Sequence, residues 1–202
     1  MNHSAITRSI DIIIPVFYLP ELYITIKKCL DSIKKYYPDY NLITVDDSIG
    51  ECPFECTYKN ENNLGYTATI NRGLLLSKGD VIIICNDDVE IKEGDLDRFS
   101  TLQERGIFSP ADSASGNLDS FGCIWGMTRE TFKKLWYLDE TFKHFYSDRE
   151  YYKRAKKMGI PIIKWRDIVV KHHESATYNL LDKESLLEED RRKYGNGRSK
   201  NS

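Results

Sequence analysis

The chain has 202 residues, 41% of them hydrophobic and 30% charged, with a formal net charge of −2. Such a length suits one domain with a single substantial core, and such a composition is that of a globular protein rather than a disordered or membrane one. The near-balanced charge supplies no global field for nucleic acid. No apolar run approaches the roughly 20 residues of a bilayer span, and the polar first ten residues hold no apolar signal core, so a cytoplasmic location is expected. Five cysteines (Cys29, Cys52, Cys56, Cys85, Cys123) make an odd count without a disulfide framework, and no second Cys/His pair accompanies Cys52 and Cys56 to form a zinc site.

Elements alternate along the chain. Ile10 to Val16 is an apolar run interrupted by Pro15 and reads as a first buried strand. From Pro20 the period becomes helical, with Leu22, Ile26, Cys29, Leu30 and Ile33 on one face and Lys27, Lys28, Lys34 and Lys35 turned outward. Residues 41–45 form a second strand ending at Asp46-Asp47-Ser48, and residues 57–59 a short third one. A turn at Asn63-Leu64-Gly65 precedes a helix over 67–77, closed by Lys78 and by Gly79 in a left-handed conformation. Val81-Ile82-Ile83-Ile84-Cys85 is a central strand covered on both faces, and it runs into Asn86-Asp87-Asp88. Beyond it, 101–120 is small and polar enough for a long loop of the kind that serves as a lid. Phe121 to Met127 is apolar again, a short helix opens at Thr128, another spans 148–158 and ends at Gly159, and 160–165 and 167–170 are strand candidates.

Strands alternating with helices predict an α/β fold with a parallel sheet and right-handed crossovers. In such sheets ligands bind beyond the carboxyl ends of the strands. Asn86-Asp87-Asp88 puts hard oxygen ligands at that edge, suited to Mg²⁺ or Mn²⁺ and, through the ion, to a diphosphate. The ordinary alternative is a polar turn after a core strand. No GxGxxG or Walker loop is present, so a phosphate is neutralised by something other than a helix N-terminus.

In order along the chain, these segments resemble an inverting glycosyltransferase of the GT-A fold, within the large second family of nucleotide-sugar-dependent enzymes. Ile12-Ile13-Ile14-Pro15-Val16-Phe17-Tyr18 is similar to the family's opening strand and loop, with Tyr18 in place of Asn. Val45-Asp46-Asp47-Ser48 resembles the segment whose carboxylate holds the nucleobase, with Asp47 the better candidate. Asn63-Leu64-Gly65 through Asn71-Arg72-Gly73 resembles the signature shaping the nucleotide pocket. Asn86-Asp87-Asp88 stands in the place of the Asp-x-Asp motif. Gly126 through Leu138-Asp139-Glu140 is similar to the segment opening the acceptor side, with Trp136 where a glycine is common. Ser147-Asp148-Arg149-Glu150 with Arg154 resembles the helix start that holds the catalytic base, with Ser147 in place of Glu. Val170-Lys171-His172-His173-Glu174-Ser175 resembles the late histidine segment. The likeness covers roughly residues 10 to 178.

The resemblance implies a GT-A fold, a mostly parallel central sheet flanked by helices. It makes residues 1–182 one catalytic domain, with a nucleotide-sugar and metal half over 10–100, an acceptor half over 101–182 and a polar tail over 183–202. The implied donor is a nucleotide-diphosphate sugar, most commonly a UDP-sugar, contacted by Pro15, Val16, Phe17, Asp46, Asp47, Gly65, Asn71 and Asp87. Mn²⁺ or Mg²⁺ would be held by Asp88 and Asn86, with His172 as third ligand and His173 as its alternate. Asp148 would be the base that deprotonates a hydroxyl-bearing acceptor, with Trp125 and Glu150 on the acceptor side.

Each assignment has an ordinary counterpart. Asp148 at a helix start is also a common cap, and the helix dipole there is expected to lower its pKa and keep it ionised. Glu150 suits an ion pair with Arg154 at i+4. Trp125, Trp136, Tyr146 and Trp165 suit core or rim as well as a sugar face, and His3 and His144 read as surface residues. The tail, with Arg191, Arg192, Lys193, Arg198 and Lys200, is expected to fray in solvent. Two other classes compete: a nucleotidyltransferase, which wants a glycine- and lysine-bearing loop absent after the first strand, and a non-catalytic sugar-nucleotide binder or partner subunit.

Overall fold

The computed structural model describes residues 8–113, 121–173 and 183–198. His3, the far end of the 101–120 segment, Glu174, Ser175, Lys200 and the last two residues lie outside it. The strands are β1 (Ile10–Val16), β2 (Asn41–Asp46), β3 (Tyr58–Lys59), β4 (Val81–Cys85), β5 (Val89–Glu90), β6 (Ile107–Asp112), β7 (Ile124–Thr128) and β8 (Ile162–His172). The helices are α1 (Tyr23–Tyr36), α2 (Tyr66–Leu76), α3 (Asp97–Ser100), α4 (Arg129–Leu135), α5 (Ser147–Lys157) and α6 (Lys183–Arg198).

The β-branched runs become β1 and β4, buried at every position, and they lie parallel side by side with β2 on the other flank of β1. The order across the sheet is β3-β2-β1-β4-β7-β6-β8-β5. The first half is parallel, as the alternation predicts. Beyond it the sheet is mixed, because β7 runs antiparallel to β4 and to β6.

Side chains alternate across the sheet. Ile12, Ile14, Ile83 and Cys85 pack under α1 against Ile26, Cys29 and Ile33. Ile13, Ile82 and Ile84 face the other way, with Ile70 and Leu74 of α2 and Tyr151 and Ala155 of α5. Gly73 lets α2 lie directly on β1: an added Cβ there would stand 2.2 Å from Ile13 Cγ2.

Four local expectations need correction. Residues 101–120 are not one loop, for β6 runs through them. Pro110 is tolerated there because the β6–β7 ladder stops at Phe108 and a register shift follows Pro110 on the β8 side. The two late strand candidates are the single β8, carried through its exposed middle by the ladder to β6. Gly79 is not a left-handed cap. Leu76 ends α2, Ser77 turns extended, and Gly79 is small because Asp11 crowds it, with its carboxylate accepting from the Ser77 hydroxyl and the Lys78 and Gly79 amides, each at 2.7 Å. The polar tail, finally, is helical as far as Arg198 and docked.

Candidate active site

β1, β2 and β4 all end on one edge of the sheet, and their turns are stitched together there. Asp47 N–H donates to the Val16 carbonyl at 2.8 Å, Phe17 N–H to Asp87 Oδ2 at 3.1 Å and Tyr18 N–H to Ser48 Oγ at 2.8 Å. The turns surround a cleft of roughly 330 Å³, lined by Pro15, Val16, Phe17, Asp47, Asn86, Asp87 and Asp88 among others. Seven expected residues thus meet in one place.

The two carboxylates after β2 do different work. Asp46 is buried away from the cleft, accepts the Ser48 amide at 2.8 Å and lies 3.4 Å from Lys59 Nζ. It braces the turn and does not line the cleft. Asp47 does line the cleft, but its carboxylate already accepts from Asn60 and Asn63 side-chain amides and from Leu64 and Gly65 backbone amides at 2.8–3.0 Å. Four donors fill a carboxylate's lone-pair sites.

After β4, Asn86 Oδ1 accepts the Tyr66 hydroxyl at 2.8 Å, which occupies one of its two lone pairs. Burial, with Asp88 alongside, pushes Asp87 up to about 7 against the opposing Phe17 amide. Asp88 is where the expected ion fits. Its Oδ1 is buried without a hydrogen-bond partner among the described residues, yet His172 Nε2 stands only 3.1 Å from it. The two atoms pair directly here, and their spacing is also that of adjacent ligands of an octahedral ion, which bonds of about 2.1 Å set roughly 3 Å apart. The two histidines part company here: His172 Nε2 is the one beside Asp88, and His173 turns to Glu90 Oε2 at 3.3 Å. Among the described residues no group of three or more His, Cys, Asp or Glu side chains converges. A two-residue set agrees with an ion that takes its other ligands from water and phosphate.

A second cavity of roughly 250 Å³ adjoins the first and shares Tyr66, Asn86 and His144 with it. Trp125, Tyr146, Asp148 and Arg149 line it. Trp125 is buried in a stack with Phe121, centroids 4.8 Å apart, so it forms wall rather than platform. Asp148 is not the cap of α5. That place belongs to Tyr146, held at φ 67 in the left-handed region, while Asp148 Oδ1 accepts the next amide, of Arg149, at 2.8 Å. The expected downward pKa shift is also corrected. Burial raises Asp148, outweighing the Arg149 amide and charge.

Three further residues stand elsewhere. Asn71 clamps α2 to the 138–140 segment, bonding Leu138 N–H and carbonyl and Glu140, each at 2.9 Å. Gly65, with φ 88, gives its amide to Asp47 and approaches the Lys143 carbonyl. Glu150 holds Arg154 at 3.0 Å, and Arg154 in turn donates to the Leu135 and Tyr137 carbonyls. Each supports a wall without lining either cavity. Trp136 keeps a backbone that favours glycine, at φ 67, consistent with the glycine common at that place in the family it resembles.

Sequence reasoning missed Tyr66 and His144, both shared by the two cavities, and α6, which supplies Ser185 and Leu186 to the first and Leu187 to the second. The signal for α6 was present: Leu186, Leu187, Asp190 and Tyr194 recur at helical spacing, and Glu188–Arg192 and Glu189–Lys193 pair at i+4.

No family model and no curated protein sequence matches the chain. Solved structures do resemble it. One is the mannosyltransferase PcManGT from Pyrobaculum calidifontis, in complex with GDP-Man and Mn²⁺, at 16% identity and TM-score 0.61 over 82% of this chain and 57% of that one. TarS from S. aureus aligns at 13% identity and TM-score 0.63 over 81% and 60%. GalNAc-T7, with UDP, GalNAc and Mn²⁺, aligns at 14% and 0.66 over 83% and 44%. The chain therefore spans between 44% and 60% of the length of these neighbours. With its mixed eight-stranded sheet flanked by helices, the chain has the fold of the GT-A glycosyltransferases.

Proposed function

We propose that the chain is a metal-dependent inverting glycosyltransferase that moves a sugar from a nucleotide-diphosphate donor, a UDP-sugar first among them, to an acceptor hydroxyl on a glycan, a protein or a modified base. The observation that carries this reading is the buried Asp88 carboxylate with His172 Nε2 3.1 Å from its Oδ1, in a cleft that adjoins a second cavity lined by Asp148. The sugar-nucleotide and Mn²⁺ complexes of two structural neighbours support it.

In this reading Asp88 and His172 hold Mn²⁺ or Mg²⁺, and the ion, when bound, neutralises the diphosphate as a leaving group. Pro15, Val16, Phe17 and Tyr66 form the walls around the nucleotide. Asp148, facing the other cavity, takes the proton of the acceptor hydroxyl as that oxygen attacks the anomeric carbon from the side opposite the diphosphate, which inverts the configuration. Its raised pKa makes it a stronger base than a free aspartate. Among the described residues no helix is long and apolar enough to cross a membrane.

The test is calorimetric titration of UDP, GDP, dTDP and their sugars with Mn²⁺ and with EDTA. Metal-dependent binding of one base is expected, and Asp88→Ala is expected to weaken it at least tenfold, one lost metal ligand being worth more than 1.4 kcal/mol. A folded protein that binds none of them sinks the reading. Binding without transfer or donor hydrolysis leaves a sugar-nucleotide binder instead.

A further inference from the structure

A buried carboxylate on α6 ties that helix to the partition between the two cavities. Asp190 is 1% exposed, and its oxygens accept three consecutive backbone amides, from Lys143 at 3.0 Å, His144 at 2.8 Å and Phe145 at 2.9 Å. Burial alone would raise its pKa, but the three amides and Lys193 outweigh burial and hold it below the ordinary value. An apolar residue would dock α6 as well. Only a carboxylate both docks the helix and orders the irregular backbone facing it, whose inward N–H groups need acceptors.

The same backbone is gripped from its other side. The Lys143 carbonyl accepts Thr67 N–H at 3.0 Å, and a Cβ on Gly65 would stand 3.0 Å from that oxygen. Gly65 is in turn set by Asp47. The gripped segment carries His144, which lines both cavities, and ends at Tyr146, whose left-handed backbone launches α5 and Asp148. Tyr194, one turn beyond Asp190, places its ring 4.9 Å from that of Tyr146 and 6.0 Å from that of Phe142.

We infer that Asp190 is a positioning residue of the transfer site: it fixes the 143–146 partition between the donor and acceptor cavities and, through Tyr146, the direction in which Asp148 points. The names of the cavities rest on the function proposed above, whereas the grip on the backbone does not. Asp190 touches neither substrate, so its effect travels only through the segment it holds.

The experiment compares the full chain with Asp190→Asn, which replaces one of the two accepting oxygens by an NH₂ that cannot accept, so that at least one of the three amides loses its partner. Three readouts are taken: backbone hydrogen exchange, calorimetric binding of UDP or GDP (whichever the wild type binds) with Mn²⁺, and turnover. Exchange at the amides of 143–145 is expected to rise about tenfold or more while β1 and β4 stay protected. Nucleotide affinity is expected to fall by a few-fold and kcat by about tenfold or more, because the base is misaligned more than the nucleotide is released. The longer Asp190→Glu is expected to recover part of both. Unchanged exchange at 143–145 overturns the inference, as does faster exchange with unchanged binding and kcat, which would make Asp190 merely structural. If the wild type binds no nucleotide, the donor reading falls and takes this inference with it. Wild-type binding with an unaltered variant sinks the inference alone. Should Asp190→Asn fail to fold, Tyr194→Ala loosens the same helix from Tyr146 and is read by the same criteria at smaller amplitude.

Discussion

Asp148 draws its chemistry from where its neighbours leave it. It accepts one backbone amide and has one cation nearby, and neither offsets the loss of water, so its carboxyl holds its proton to higher pH than a free aspartate does. A protonated base cannot accept the acceptor's proton. Turnover at saturating donor is therefore expected to fall as pH drops through that raised value, a limb that a kcat–pH profile reads directly. Asp148→Asn is expected to remove the limb and lower turnover by about 10²- to 10⁴-fold, with nucleotide affinity retained, since Asp148 lies in the second cavity and not the first. Loss of affinity equal to the loss of turnover would assign Asp148 to donor binding instead. Its neighbour two residues on illustrates the opposite outcome. Glu150 is paired with Arg154 through both oxygens and lines neither cavity.

Among the elements, α2 against β1 is the tightest contact. Gly73→Ala would drive a methyl group into Ile13, and overpacking of this kind costs about 1–3 kcal/mol, to be read as a lower midpoint in urea with an unchanged slope. The strands that make that contact were legible because uninterrupted β-branched runs such as Ile12-Ile13-Ile14 and Val81-Ile82-Ile83-Ile84 suit a sheet covered on both sides. β6 was not, because Ser109, Pro110 and Asp112 carry no strand signal, and only the ladder to β8 keeps them extended. α6 was legible only in part: its helical period and i+4 charge pairs can be read, but what its inward face docks on cannot. The residue at the centre of its inward face is a charge, and apolar periodicity cannot register an aspartate whose partners lie in the 143–145 backbone. The acidic turn after β4 was readable from chemistry and place together. Which histidine approaches Asp88 was not, because alternation says only that the two point opposite ways, and it takes the turn before β5 to bring the Asp88 carboxylate to His172 while His173 meets Glu90. Asn71 and Asp46 show the same limit, their polar groups being consumed by partners that only the tertiary fold supplies.

For the whole molecule, the proposed donor is a ligand of the folded state alone. UDP or GDP with Mn²⁺ at a hundred times its dissociation constant is expected to add about 2.7 kcal/mol to stability, visible as a rise of several degrees in Tm that EDTA abolishes. A shift that persists in EDTA would show that the nucleotide binds without an ion. The pairing of Asp88 with His172 also has a bearing on biogenesis. It is made by the short antiparallel contact of β5 with β8, between residues far apart in the chain. As the polypeptide leaves the ribosome, β1, β2 and β4 can assemble and shape a nucleotide-sized hollow while the histidine is still unsynthesised. Nascent chains thus pass through a stage with a nearly finished sheet and no second ligand for an ion. On the proposed function, metal-dependent binding of the donor would therefore begin only once β8 has been translated and has paired with β5.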